Sequence, residues 1–270
     1  MRAALAFAAP AALIAFAHPA AAESLTIPFA PPIDQAFTYR IEQHRPVDGK
    51  SARFASVRDL RFARAGDKEG GGYLLIATLR EIDSDAAEHR AAPYRAAMAP
   101  LIGLELRFRM DAQGRIIGLD DAEAVWTKVR AGVDSMLAGF PPDSDRHRAA
   151  KNVQALFAAL APEARLALLA GEFQPLFLFA GVSVEDGAGR QLRTQAGSPL
   201  GRPVPVEGAV RLAGRNGEVL DLAEDLQGEG VTVAIRYRLS RTSGLVESQT
   251  RNLSVGGDTL TEHRTLMPAS

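Results

Sequence analysis

The stretch LELRFRMDAQGRIIGL, residues 104–119, is the part of the chain from which the fold is best predicted. From Leu104 to Met110, apolar residues alternate with charged ones, which is typical of a strand with one buried face. The tetrapeptide DAQG that follows favours a turn, because Gly114 can adopt a left-handed conformation. The segment IIGL then returns as a second strand, so the stretch predicts an antiparallel hairpin that is apolar on one side.

A similar pattern recurs in the last part of the chain. The segment IRYRL, which begins at Ile235, matches LRFRM position by position, and each segment precedes a turn that contains glycine. We expect Phe108 and Tyr237 to face the core, and Arg107 and Arg236 to face solvent. The match is compatible with an internal duplication. The alternative is one continuous curved sheet interrupted by helices, because every half-exposed strand alternates in this way.

Residues 1–22 have the order of a secretory signal peptide. A positive start at Arg2 precedes an apolar run that is too short to span a bilayer, and Ala20–Ala22 offers small residues for cleavage. We therefore expect cleavage before Glu23 and a location in the bacterial periplasm, the alternative being an uncleaved N-terminal anchor. No later stretch has the roughly 18 consecutive apolar residues of a membrane helix, so no integral span is expected in the mature chain.

Composition excludes several classes of chemistry. The chain has no cysteine, which rules out disulfides, thiolate catalysis and cysteine-based metal sites. Its 31 Lys and Arg residues nearly balance its 32 Asp and Glu residues, giving a formal net charge of −1. This balance argues against nucleic acid as a partner.

We predict that residues 23–270 form a single α+β domain. Strand patterns lie before and after a helical part, and the strands follow one another in hairpins, so the sheet should be antiparallel. The predicted fold is two antiparallel β-meanders, as a curved sheet or half-open barrel, separated by a three-helix block. The boundaries are 36–118 for the first meander, 120–171 for the helical block and 204–267 for the second meander, with helices near 121–138, 144–160 and 162–170.

Local signals set the ends of several elements. Asp120 or Asp121 is a good N-cap for the first predicted helix, and Asp143 or Ser144 for the second. Asn and Gly at 216–217 give the strongest short hairpin signal in the chain.

Three further segments are predicted from composition. Residues 83–98 are polar and rich in alanine, and favour a loop or a short helix. Residues 173–182 are apolar and aromatic and should be buried. Residues 183–203 are rich in glycine and polar side chains, and favour an exposed loop.

No sequence motif for a nucleophile, phosphate-binding loop or metal site is present. The densest group of oxygen ligands lacks the glycine of a calcium-binding loop, and a solvated loop is the simpler interpretation. Its members are Glu81, Asp83, Asp85, Glu88 and His89. We therefore expect no metal, no cofactor and no catalytic activity, although hydrolases that use only carboxylates would escape such a search.

Aromatic residues are concentrated in and just after the helical block. If the helices lie across the sheet, these residues line either a packed core, which is the default, or a cavity for an apolar ligand. They are Trp126, Phe140, Phe157, Phe173, Phe177 and Phe179.

The order of meander, helices and meander in an exported chain without cysteine resembles the periplasmic lipoprotein-carrier type of fold, a half-open barrel with helices as its lid. It is also similar to uncharacterised exported bacterial proteins with this element order. The resemblance covers most of residues 36–266 in architecture alone, and no diagnostic motif carries a binding residue across.

The sequence leads to two alternative functions. One is a non-catalytic interaction or envelope-assembly protein with an unknown envelope partner, which would dock on a strand edge or on the 183–203 segment. The alternative is a periplasmic carrier that binds a lipid or another apolar ligand between the concave sheet and the helices. An unrecognised enzyme is the third possibility.

Overall fold

The structure is a computed structural model that describes residues 24–66, 72–185, 189–196 and 203–269. The predicted signal peptide and the cleavage position before Glu23 lie outside these residues.

The first part of the described chain is mostly strand. Its elements are β1 (Ser24–Thr26), β2 (Ala36–Val47), β3 (Lys50–Arg64), β4 (Tyr73–Ser84), helix α1 (Glu88–Met98), β5 (Glu105–Met110) and β6 (Ile116–Leu119). Three more helices follow, α2 (Ala122–Ala138), α3 (Asp145–Ala159) and α4 (Pro162–Ala170). The last strands are β7 (Ser183–Glu185), β8 (Arg190–Ala196), β9 (Val204–Asn216), β10 (Val219–Gly228), β11 (Val231–Ser240), β12 (Val246–Val255) and β13 (Asp258–Pro268).

Eleven of the described strands form one antiparallel sheet in the order β6-β5-β4-β3-β2-β13-β12-β11-β10-β9-β8. The prediction of an α+β fold with an antiparallel sheet is confirmed. The two meanders are joined through β2 and β13, where Tyr39 lies opposite Leu266. The sheet is open and ends at β6 and β8, while β1 and β7 form a separate two-stranded sheet.

The helical part differs from the predicted three-helix block. The described residues contain a fourth helix, α1, which includes Pro93 and packs against α2. A Cβ atom at Gly132 of α2 would lie 2.1 Å from the carbonyl oxygen of Ala97, so the two helices meet through a glycine. Segment 83–98 therefore ends in a full helix that uses α2 as its packing partner. No single helix of the described chain is long and apolar enough to cross a membrane. Taken together, α3 and α4 have the required length and hydropathy, but a bend of 118° separates them.

Of the two predicted helix caps, the one for α3 is confirmed and the one for α2 is wrong. The side chain of Ser144 accepts a hydrogen bond from the backbone N–H of His147 and caps α3, as predicted. Asp121 occupies the position before α2, but its side chain makes no capping bond. Its backbone is left-handed, with φ of 50°, and this conformation is not the extended one from which a cap side chain reaches the first turn.

One face of the sheet carries the core. Phe108 and Tyr237 are buried on it, and Arg107 and Arg236 are exposed, which confirms the predicted register of β5 and β11. Two apolar clusters lie on this face. The first joins β2–β6 to residues of α2, α4 and the segment after α4, and the second joins β9–β12 to residues such as Phe179 and Val184.

Two segments acquire structure that composition did not indicate. The expectation that residues 173–182 are buried holds for Phe173, Leu176, Phe177 and Phe179 but not for the exposed Leu178, and Gln174–Phe177 is a short 3-10 helix. Segment 183–203 was expected to be a loop, but its described residues include β7 and β8, which pair with β1 and β9. The loop prediction is wrong there because pairing with distant strands outweighs the polar composition.

Candidate functional site

A pocket of about 330 Å³ lies between the core face of the sheet and helix α1. Polar side chains dominate one part of its wall and apolar side chains the rest. Its lining residues are Ile41, Gln43, Phe54, Ser56, Arg58, Tyr94, Met98, Gly171, Glu172 and Arg264.

The register of three central strands brings the polar residues together. Tyr39 of β2 lies opposite Arg58 of β3, and Ile41 lies opposite both Ser56 of β3 and Arg264 of β13. Residues that lie opposite one another share a face of the sheet. Polar groups from β3 and β13 therefore occupy the face that is apolar elsewhere.

Arg58 is the most deeply buried charged side chain in the pocket, with an exposed fraction of 5%. Its Nη2 donates to Oε2 of Glu172 at 2.7 Å, and its Nη1 donates to Oγ of Ser56 at 2.9 Å. Because a buried charge is costly without a counter-ion, these bonds hold the guanidinium in one position.

Arg264 is fixed by a second set of hydrogen bonds. Its Nε donates to Oε1 of Glu262 at 2.7 Å, and its Nη1 donates to the hydroxyl of Tyr39 at 3.0 Å and to the carbonyl oxygen of Glu172 at 2.7 Å. Gln43 donates to the other oxygen of Glu262 at 2.7 Å. The network joins β2 and β13 to the turn after α4, and so makes the pocket wall rigid.

Glu172 differs from its neighbours in having one carboxylate oxygen without a partner. Its side chain is 29% exposed as a whole, yet Oε1 is buried and accepts no hydrogen bond from the residues that the structure describes. Burial raises the pKa of Glu172, against the opposing effect of the positive charges of Arg58 and Arg264. No hydrogen bond from the described residues therefore compensates the burial of this oxygen.

The other titratable groups of the network have shifted pKa values for clear reasons. Burial alone would raise the pKa of Glu262, but the hydrogen bond and charge of Arg264 outweigh it and the pKa is lowered. Burial raises the pKa of Tyr39 and of Tyr94 to about 12. Tyr94 donates to the carbonyl oxygen of Ala55 at 2.8 Å, so its hydroxyl is a fixed part of the wall.

In the described ranges, no group of three or more His, Cys, Asp or Glu side chains is placed to hold a metal ion. In the segment with the densest oxygen ligands, Asp83 pairs with Arg53 and Glu88 pairs with Arg95. Arginines therefore occupy carboxylates that a metal would need.

Three of the six aromatic residues named from the sequence belong to the core. Phe173 and Phe177 are buried in the first apolar cluster, and Phe173 packs against Phe108 with 5.3 Å between ring centroids. Phe179 lies in the second cluster, where its ring meets that of Tyr237 edge-on at 4.9 Å.

The other three lie among the helices. Trp126 is buried and stacks on Phe157 with 5.5 Å between ring centroids. Phe140 lines a separate surface pocket together with Phe54 and Arg146. The structure thus brings Trp126 and Phe157 together, but the six residues do not line one cavity.

The polar pocket was missed at the level of sequence, although a signal for it exists. In β3, Arg58 falls in the same alternation as Phe54, Leu60 and Phe62, and in β13 Arg264 alternates in phase with Leu266. An arginine at a core position of a strand indicates a buried charge that needs a partner. The partner, Glu172, follows α4 and shares no pattern with either strand.

Comparison with known proteins adds no assignment. No protein-family model and no curated protein matches the chain.

Proposed function

We propose that the chain is a non-catalytic binding protein of the bacterial periplasm and that it holds a small ligand in the pocket between the sheet and helix α1. The observation that carries this proposal is Glu172, which lines the pocket and whose buried Oε1 has no hydrogen-bond partner among the described residues, whereas the other polar side chains of the wall are hydrogen-bonded. Such an acceptor is costly unless a ligand supplies the missing donor.

The pocket indicates the kind of ligand. Its volume of about 330 Å³ falls in the usual range of roughly 300–1,000 Å³ for small-molecule sites. Ile41, Phe54 and Met98 offer apolar contact, whereas Glu172 offers a hydrogen-bond acceptor. The ligand we propose has an apolar part and at least one N–H or O–H group. This is a form of the carrier expected from the sequence, with a more polar ligand.

Binding without catalysis is favoured by the way the charged groups are used. Arg58 and Arg264 are each held by a carboxylate, and Tyr39 is held by Arg264. Because these groups are hydrogen-bonded to one another, we propose that the pocket recognises a ligand and carries out no bond-making step.

The interaction protein expected from the sequence is the second candidate. The observation that favours it is the open sheet, in which β6 and β8 each pair with one neighbouring strand of the sheet. A strand edge of this kind can accept an extended segment of an envelope partner by strand addition. Chemical cross-linking in the periplasm, followed by identification of peptides joined to β6 or β8, tests this candidate.

Native mass spectrometry of the protein recovered from the periplasmic fraction tests the first proposal. We expect a mature chain that begins at Glu23 and carries a small bound molecule, and we expect Glu172→Gln to lose that molecule. Asp59→Asn is the matched control, because Asp59 is also paired with an arginine, but that partner is the exposed Arg80, at 3.2 Å. Equal loading of both variants, or a wild-type chain without any bound mass, would contradict the proposal.

A further inference from the structure

A second cavity, of about 250 Å³, lies at the other end of the core face, beneath strands β9 and β10. Its wall is mainly apolar. The apolar residues are Phe179, Val182, Val184, Val210, Leu212 and Leu222. It is separate from the polar pocket, with which it shares no lining residue.

The size and wall of this cavity favour an apolar occupant. Protein interiors are close-packed, and voids much larger than a water molecule are few. A water molecule needs two to four polar partners, which this wall does not favour, whereas an apolar cavity of roughly 150 Å³ can hold benzene. A cavity of about 250 Å³ is therefore large enough for a somewhat larger apolar group.

Arg190 supplies a positive charge at the wall of this cavity. Arg190 of β8 lines the cavity and lies opposite Val210, whose buried side chain is part of the same wall. Glu224 of β10 also lies opposite Val210. Burial raises the pKa of Glu224, and the hydrogen bond from Tyr237 and the positive charges of Arg251 and Arg190 oppose that rise. Arg211 also borders the cavity, but its Nη2 is paired with Asp225 at 3.1 Å.

We propose that this cavity binds a small monocarboxylate with an apolar body about the size of octanoate, its tail among the six apolar residues and its carboxylate on Arg190. Arginine suits this role because its planar guanidinium can donate two parallel hydrogen bonds to a carboxylate. The inference does not depend on the polar pocket or on the function proposed for it.

Isothermal titration of the mature chain with octanoate tests the proposal. We expect saturable binding of one octanoate, and we expect Arg190→Gln to weaken it about 10-fold or more, the loss typical of one charged hydrogen bond. Arg193→Gln is the control, because Arg193 lies on the same strand but does not line the cavity and pairs with Glu207 at 3.2 Å. It should leave the affinity unchanged, and 1-octanol should bind the wild type and Arg190→Gln equally.

A second variant tests the position of the tail. Val210→Phe should fill the cavity and abolish binding of both octanoate and 1-octanol, with folding checked by circular dichroism. Arg190 is exposed, so we expect Arg190→Gln to fold and to decide the question even if Val210→Phe does not fold. Absence of octanoate binding, or binding that Arg190→Gln leaves unchanged, overturns the proposal, the latter because the ligand would then be bound elsewhere.

Discussion

Arg58 and Glu172 form an ion pair of 2.7 Å that joins strand β3 to the turn after helix α4. The pair is a polar contact between the sheet and the helical part on the buried face. It therefore both shapes the proposed ligand pocket and attaches the end of the helical part to the sheet.

Removing one member of this ion pair should destabilise the folded protein. We expect Glu172→Ala to lower the free energy of unfolding by about 3 kcal/mol, because Arg58 would stay buried without its counter-ion. The control is Asp59→Ala, which breaks an exposed pair with Arg80 and should cost less than about 1 kcal/mol. Urea unfolding measures both. Equal losses in the two variants would show that the buried pair has no special role.

Glu172 and Glu262 should affect the pH dependence of stability in opposite directions. The pKa of Glu172 is raised in the folded state, so the stability it contributes is present below the unfolded value of 4.5 and is lost as pH rises through the folded pKa. The pKa of Glu262 is lowered, so its contribution is present above 4.5 and is lost as pH falls through the folded pKa.

The corresponding variants test these signs. Relative to the wild type, Glu172→Gln should become more stable as pH rises above 4.5, and Glu262→Gln should become less stable as pH rises toward 4.5. Unfolding free energies measured from about pH 3 to pH 8 give both slopes. Parallel curves for the wild type and Glu172→Gln would contradict the raised pKa.

The contact between α1 and α2 depends on a glycine. We expect Gly132→Ala to lower the free energy of unfolding by about 1–3 kcal/mol, because the new Cβ would lie 2.1 Å from the carbonyl oxygen of Ala97 and the helices must separate. Gly66→Ala meets no atom within 4 Å and serves as the control. A stabilised Gly132→Ala variant would mean that helix propensity outweighs the close contact.

The two helix caps should respond differently to substitution. Ser144→Ala should cost about 1 kcal/mol, because the backbone N–H of His147 loses its acceptor. Asp121→Gly should be neutral or stabilising, because glycine adopts the left-handed backbone at φ of 50° without strain and no capping bond is lost. Thermal unfolding of both variants checks the difference. A loss of stability in Asp121→Gly would instead show that the Asp121 side chain stabilises this end of the helix.

Much of the sheet follows from local pattern. Alternation from Leu104 to Met110 predicts the buried side of β5, and the asparagine and glycine at 216–217 predict the hairpin between β9 and β10, where Gly217 has a φ of 58°. These features depend on residues close in sequence, so a single sequence contains the information.

The candidate site depends on contacts that local pattern does not contain. Arg58 and Glu172 are 114 positions apart, and neither carries a motif that points to the other. The strands β7 and β8 were missed for the same reason, since their partners β1 and β9 supply the stabilisation that their polar sequences lack. The phase of Arg58 and of Arg264 among apolar residues is the available signal, and it indicates burial without indicating the partner.

The position of β13 between β2 and β12 has a consequence for how the chain folds. The middle of the sheet pairs residues near 40 with residues near 265, so its completion must wait for the last strand, and such long-range pairing is slow to form. Until then β2 and β12 each present an unpaired edge at the centre of the sheet, where strands of another molecule can add. We therefore expect a chain in which β13 has not yet docked to be prone to aggregation.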